Sequence, residues 1–571
     1  MAVLACGTRQ AAGERLQVMH MIKPDELASE LPHGPWSCRG CDVWEAICAA
    51  AAGDAEALRR LLERDPNLYR AEYSYTQPIH FAVREGHLEA VRVLLDAGAD
   101  PTAAGLNGED LITVALDRGH EAVAQLLEDV RLRRGRVKPA EAPADHPIHS
   151  AAADKNAERV GALLDAEPQL LDCSDRAGGT PLHRAVAAQA RQVVELLLHR
   201  GADIHALHGS GPGSERGYAA ADFQPIDLAL WNGPFWGLRG DFETARLLLE
   251  RGATCDLVIA AALGDLERVQ NILDEDPQRI SEARPCGKRA LSSAVEFGQA
   301  PVIRLLLERG ADPNWPEGAN APRGVALHAA ARAGERGVVE LLLGRGADPN
   351  GWIDSSGSAT YVAKTPELRS LLMAQGGRLD TYDLVWLGED DEVVRHVSAD
   401  PSSANAGCGG VFAAACTLGK RDLVVRLLEA GARVPAVVTA CRSYLWSDPG
   451  LLRLLLASGM NPDLPDWQRA TPLHDLCGRD GRGRARPHRK ECANILFEAG
   501  AAISSKDEEY RSTPLAWAAR NGLSDMVELL LSHGAATNLP DDEPWATPLA
   551  WATRRGHDRI AEMLRAAGAT A

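Results

Sequence analysis

"TPLAWAARNGL" runs from Thr513 to Leu523, and "TPLAWATRRGH" follows from Thr547 to His557, 34 residues later. The Thr513 hydroxyl can cap a helix while Pro514 occupies the first turn, where a missing N–H costs nothing. Leu515, Ala518 and Ala519 then give a short helix with a small-residue face, and Gly522 stops it. A second helix carries Met526, Val527, Leu529, Leu530 and Leu531 on its apolar side and ends at Gly534, the residue that best tolerates the left-handed conformation. One such pair cannot bury its own apolar face. Neighbouring copies must stack on it to complete a core.

Copies recur along the chain. They read "QPIHFAVREGHLEAVRVLLDAGADP" from Gln77, "TPLHRAVAAQARQVVELLLHRGADI" from Thr180, "VALHAAARAGERGVVELLLGRGADPN" from Val325 and "TPLHDLCGRDG" from Thr471. Weaker copies begin at Ala46, Val258 and Gly410. The interval, the "TPLH" start and the "LLLxxGADxN" end resemble the ankyrin repeat. The resemblance implies an all-α solenoid of about sixteen helix-turn-helix units with β-hairpin fingers between them. Residues 42–571 are expected to form one continuous stack, with 1–41 as a partly disordered tail. That tail has room for a short capping helix from Pro24, and Met19 and Met21 are alternative starts.

Departures from the repeat carry more information than agreements. After Gly252, Gly376 and Gly431 the next helix frame comes near Cys255, Leu379 and Pro435, too soon for a finger. Residues 205–224 form an enlarged, Gly-rich loop, and the turns from Trp231 and Gly478 are expanded. The unit from Ala359 has a curtailed first helix and Pro366 opens its second, so a weak point is expected over 359–380.

Composition excludes several functions. The net charge of −18 argues against nucleic-acid binding and against adhesion to anionic membranes. No apolar run approaches the ~20 residues of a spanning helix, so no membrane partner is expected. Cys416, Cys441 and Cys477 align with Ala519, and Cys492 with Met526; they read as small packing residues in a reduced, cytoplasmic setting. Cys38 and Cys41 alone have metal-ligand spacing, and without a second CxxC they read as two thiols in the tail. His80, His149, His183, His328 and His474 share one repeat position, where the family resemblance implies a hydrogen bond to neighbouring backbone. Asp227 and Ala516 occupy the same position, so the fold tolerates loss of the histidine. "PCGKRALS" around Lys288 has Glu282 where a phosphate loop needs its first Gly, and there is no GxSxG elbow. No catalytic residue, metal or cofactor is expected. The arginine runs at Arg482–Arg489 and from Arg131 read as solvated turns.

Aromatic placement gives the functional signal. Trp517 and Trp551 share the position after "TPLA", which in the ankyrin fold looks into the concave groove. Trp467, Tyr510 with Arg511, and Trp545 stand on fingers above them, and Trp315 and Trp352 stand on two adjacent fingers earlier in the chain. Trp, Tyr and Arg are the residues most often found as binding hot spots. The expectation is a non-enzymatic, monomeric scaffold that binds a protein through its concave face and fingers. The acidic runs Asp507–Glu509 and Asp541–Glu543 at finger tips suit a partner with a basic surface. The alternatives are a secreted effector with an activity borne on the 205–224 loop, or a small-ligand site at the Trp231/Trp236 turn. The excess of arginine, 53 against 8 lysines, points to a GC-rich, bacterial genome.

Overall fold

The structure is a computed structural model that describes residues 21–28, 30, 32–33, 38–74, 76–101, 103, 109–134, 146–175, 178–208, 223–231, 240–284, 286–317, 321, 323–353, 356–405, 410–434, 448–479 and 484–570. Short helices alternate with somewhat longer ones throughout, as in Pro514–Arg520 with Ser524–Ser532 and Pro548–Arg554 with Asp558–Ala566. Thr180, Thr513 and Thr547 cap their helices by accepting from the backbone N–H of His183, Ala516 and Ala550. Some units end without glycine. There an aspartate breaks the helix and a proline opens a 3-10 turn, as at Asp65 before Pro66–Tyr69 and Asp276 before Pro277–Ser281. None of the described helices is long and apolar enough to cross a membrane.

Two devices set the stacking register. Gly522 adopts φ +70°, and a Cβ there would lie 2.8 Å from the His557 ring of the next unit. The same ring bonds back to the Arg520 carbonyl through Nε2 at 3.2 Å. The asparagine of "GADPN" supplies the second device. Asn314 donates to the Gly346 carbonyl at 2.8 Å and accepts from Asp348 N–H at 2.9 Å, and Asn350 does the same for Gly376 and Arg378. Asn538 repeats the pattern with Thr570.

Strand pairing in the fingers is sparse. Trp352–Ile353 pairs antiparallel with Gly357–Ser358, and Tyr73 bridges Thr76. Elsewhere aspartate side chains close local turns, as Asp312 does by accepting from Asn314 N–H, and so take the place of a ladder. From Gly252 the next helix starts at Leu257 and from Gly376 at Thr381, leaving no room for a finger. The Pro435 junction, Cys441, Trp236 and most of the 205–224 loop lie outside the described residues.

The buried core is not one body. It runs from Ile148 to Leu372 and again from Leu384 to Leu564. A third body, Leu27 to Leu127, takes in Trp467 from the far end of the chain and stands apart from Ile148. A 3-10 turn over Asp25–Ala28 and a two-residue pairing of Pro32–His33 with Cys38–Arg39 bring Leu27 and Cys38 into the core, and the next helix starts at Gly40.

Cys416, Cys477 and Cys492 are buried and unoxidised. Burial pushes the Cys416 thiol up to about 12 and the Cys477 thiol higher still, so neither is a nucleophile at neutral pH. Alanine at either position should cost about 1 kcal/mol or less. Neither thiol should alkylate before the chain unfolds; native-state labelling followed by thermal melts checks both points.

Candidate functional site

Of the residues nominated as a docking surface, those from Trp467 to Trp551 carry the chain's own N-terminal units on them. Trp467 is only 1% exposed. It meets Tyr73 edge-on at 5.3 Å and Phe81 at 5.9 Å, and its carbonyl accepts from Ile22 N–H at 2.9 Å. Tyr510 is buried between Trp517 and Trp551, at centroid distances of 5.3 and 5.7 Å, so the two tryptophans bracket a tyrosine rather than stack on each other. Each indole N–H is used: Trp517 donates to Asp507 and Trp551 to the Ser512 hydroxyl, both at 3.0 Å. Trp545 is half-buried, and the Arg118 guanidinium covers its ring at 4.8 Å.

A buried ionic network joins the two ends. Glu509 meets His80 Nε2 at 2.9 Å and accepts from Arg84 Nη1 at 3.3 Å, and its carbonyl accepts from Arg118. Arg84 also bonds Gln468 at 3.0 Å and Glu85 at 2.8 Å. Further out, Arg511 pairs with Glu85, Arg520 with Glu109, and Arg555 with Glu109 at 2.7 Å and Asp117 at 2.6 Å. Burial alone would raise the Glu509 carboxyl, but His80, Arg84 and Arg118 outweigh it and hold it well below the usual carboxylate range. Desolvation pulls Arg118 down to about 10 despite Glu509. Burial leaves Asp117 raised even beside Arg555.

Of the two acidic finger runs, Asp507 and Glu509 turn inward, unlike the sequence expectation, whereas Asp541 stays exposed. Asp507 accepts from the N–H groups of Tyr510 and Ser512 and so builds its own finger. Asp541 and Asp542 both pair with Lys506, at 3.0 and 2.8 Å. The other two nominated residues lie elsewhere: Trp315 is partly buried under Arg289, whose guanidinium stands 5.6 Å from its ring, and Trp352 is 41% exposed. Glu85, Glu109, Asp117 and Arg118 were not singled out by the sequence. They occupy variable positions that look like any solvated pair in an isolated repeat.

The histidine position behaves in three ways. His149, His183 and His474 bond the carbonyls of Cys173, Phe223 and Ser512 at 3.0, 3.1 and 3.0 Å. His80 instead reaches Glu509. Asp227 caps Gln224 N–H at 2.9 Å and pairs with buried Arg284 at 2.5 Å, so the lost histidine is replaced by an ion pair.

Of the Trp231/Trp236 turn only Trp231 lies within the described residues. Lys288 pairs with Glu296 at 2.6 Å and stands 5.9 Å from the Trp231 ring. A pocket lined by Leu291, Ser292, Trp315 and Glu317 has space for about one water, far below the size of a ligand site. Buried Glu317 has one carboxyl oxygen without a hydrogen-bond partner, and burial, opposed by Lys288, pushes its carboxyl up to about 7. Between the ordinary carboxylate range and pH 7 the folded chain therefore holds a proton that the unfolded chain releases, and stability falls as pH rises. Glu317→Gln should remove that slope and be the more stable form at pH 8, by up to about 3 kcal/mol. Thermal melts at pH 5 and 8 measure it; an unchanged slope would refute the assignment. Among the described residues no three His, Cys, Asp or Glu side chains converge as metal ligands.

A family model described as ankyrin repeats (3 copies) matches residues 44–134, 111–207, 257–351 and 484–571. The chain is 26% identical over 290 residues to ankyrin repeat protein nuc-2 of Neurospora crassa, covering 48% of this chain and 24% of that protein. It is 30% identical over 189 residues to the E3 ubiquitin-protein ligase XB3 of rice, covering 31% of this chain and 42% of that one. It is 26% identical over 421 residues to the ankyrin repeat domain-containing protein SAT10 of Stachybotrys chartarum, covering 68% and 21%. The chain thus spans less than half the length of each of these relatives, all of them fungal or plant proteins. The ankyrin repeat domain of Bcl-3 aligns at 26% identity over 41% of this chain and all of that one, with a TM-score of 0.23, too low to bear on the path of the chain.

Proposed function

Because the chain belongs to the ankyrin-repeat family, matched over more than half its length, we propose that it is a protein-binding scaffold with no chemical step of its own. One observation carries this reading: the C-terminal fingers and inner helices already grip a folded protein surface, residues 73–118 of the same chain, through Trp, Tyr and Arg. In this reading there are sixteen units, with Pro449–Ala457 the second helix of the thirteenth. The protein is monomeric, cytoplasmic and of bacterial origin, the last on arginine usage alone. The binding surface is the concave face with its fingers, including exposed Trp352. Stacked rigid units present such a surface at little ordering cost.

Immobilised full-length protein should capture a reproducible partner from a lysate of its source organism, identified by mass spectrometry. Arg520→Gln with Arg555→Gln, or Trp352→Ala, should deplete that partner at least about tenfold, as loss of an interface hot spot does. Equal recovery with both variants would remove the concave face and fingers from the reading. Recovery of no specific protein would end it.

A further inference from the structure

The face under the N-terminal units is more basic than the finger sequences suggest. Arg511, Arg520, Arg554 and Arg555 stand along it, and three of them lie against aromatic rings. Arg520 is 4.1 Å from the centre of Tyr510 and 5.1 Å from that of Trp551, and Arg554 and Arg555 lie 4.9 and 5.6 Å from Trp551. A guanidinium held against a ring keeps its N–H edge oriented for a planar acceptor, so little ordering is lost when a carboxylate arrives. Carboxylates do arrive. One oxygen of Glu109 takes both Arg520 and Arg555, and the other accepts from the Tyr510 hydroxyl at 3.1 Å. Asp117 takes Arg555 and Glu85 takes Arg511. Asp507 accepts from Trp517, and Asp541 and Asp542 pair with Lys506 of the neighbouring finger; Glu543 reaches Arg511 at 3.4 Å, so the finger carboxylates meet Arg511 and leave Arg520, Arg554 and Arg555 to the N-terminal units.

We propose that the C-terminal groove reads carboxylates on a protein surface, and that Glu85, Glu109 and Asp117 are an internal ligand holding the place an acidic partner takes. The inference rests on the scaffold reading and gives it a partner chemistry opposite to the one the acidic fingers suggested. Three kinds of contact hold the N-terminal units. Trp467 is an apolar anchor inside their core, Glu509 with His80 and Arg84 forms a buried ionic core, and the Glu109–Asp117 edge is an outer ionic rim whose side chains are 11–28% exposed. An ionic rim exchanges partners more readily than an apolar plug and weakens with salt. Tethering gives the internal ligand an effective concentration on the order of millimolar, which lowers the apparent affinity of any external competitor.

The test uses full-length protein and a fluorescein-labelled polyglutamate peptide as the probe, read by anisotropy. Glu109→Gln with Asp117→Asn weakens the internal ligand and should tighten polyglutamate binding by about tenfold or more over wild type. Adding Arg520→Gln and Arg555→Gln should abolish that binding. Hydrogen exchange then locates the probe on the Glu109/Asp117 variant, independently of how well the arginine variants fold. Slower exchange in helices 514–520 and 548–554 supports the proposal, and slower exchange confined to other helices overturns it. Equal polyglutamate affinity for wild type and the Glu109/Asp117 variant overturns it, as does equal or tighter binding of double-stranded DNA, which would mark a general polyanion surface. Polyglutamate binding without any captured lysate protein would count against the scaffold reading alone. A captured partner with no polyglutamate binding would count against the carboxylate reader alone.

Discussion

Trp467→Ala should detach the first three units from the rest of the chain while the middle of the molecule stays folded. The indole fills the core formed by Tyr73, Phe81 and their neighbours, and it comes from a finger nearly four hundred residues downstream. Truncating a fully buried large aromatic typically costs about 3–5 kcal/mol, part of it the cavity that remains. Here the loss falls on one body only. Amide exchange over residues 40–134 should accelerate strongly, whereas exchange over 148–372 should not change. Uniform acceleration along the chain, or none, would show that Trp467 does not join the two ends.

Glu509→Leu should have an effect of similar size for a different reason. The carboxylate neutralises Arg84, which is 1% exposed, and stands close to His80 and Arg118. Removing one partner of a buried pair leaves an uncompensated charge, at a typical cost of about 3–5 kcal/mol. Arg84→Met combined with Glu509→Leu should recover only part of that loss, because Gln468 and Glu85 lose Arg84 and His80 loses Glu509. The same network sets a pH dependence. Glu509 titrates below its unfolded value, so its contribution is complete above the ordinary carboxylate range and is lost as pH falls through that range and below it. Acid should therefore separate the ends before it melts the helices. Following Trp fluorescence against far-UV circular dichroism during acidification tests this, and coincident transitions in wild type would contradict it.

Much of the fold was legible because each unit carries its own instructions. Thr513 before Pro514, Gly522 after Arg520 and the leucine run to Gly534 specify a helix pair without reference to anything distant. The pairing of His183 with the Phe223 carbonyl follows the same local logic. The site was half legible. Tyr510, Trp517, Trp545 and Trp551 pack on one another, and the shared repeat position of Trp517 and Trp551 made that pair visible. What covers them was not legible. Glu85 and Glu109 become specific only through Arg511 and Arg520, more than four hundred residues away, and no periodicity links them. The acidic runs misled for a related reason. Whether Asp507 projects from a finger or folds back onto Trp517 depends on a turn of a few residues that composition does not resolve.

A contact between His80 and Glu509 spans 429 positions of sequence. Repeat arrays fold by nearest-neighbour steps, and most contacts here close loops of about one unit. The joint between His80 and Glu509 is the exception and can form only after the 429 positions between them have been made. At about 5–20 residues per second, translation leaves the first three units waiting on the order of 20–90 s for their counterpart to emerge. During that interval Phe81 and Tyr73 lack their tryptophan, and Arg84 lacks the Glu509 carboxylate. A nascent chain is thus exposed to chaperones and proteases over residues 73–118 until the segment carrying Trp467 and Glu509 has emerged.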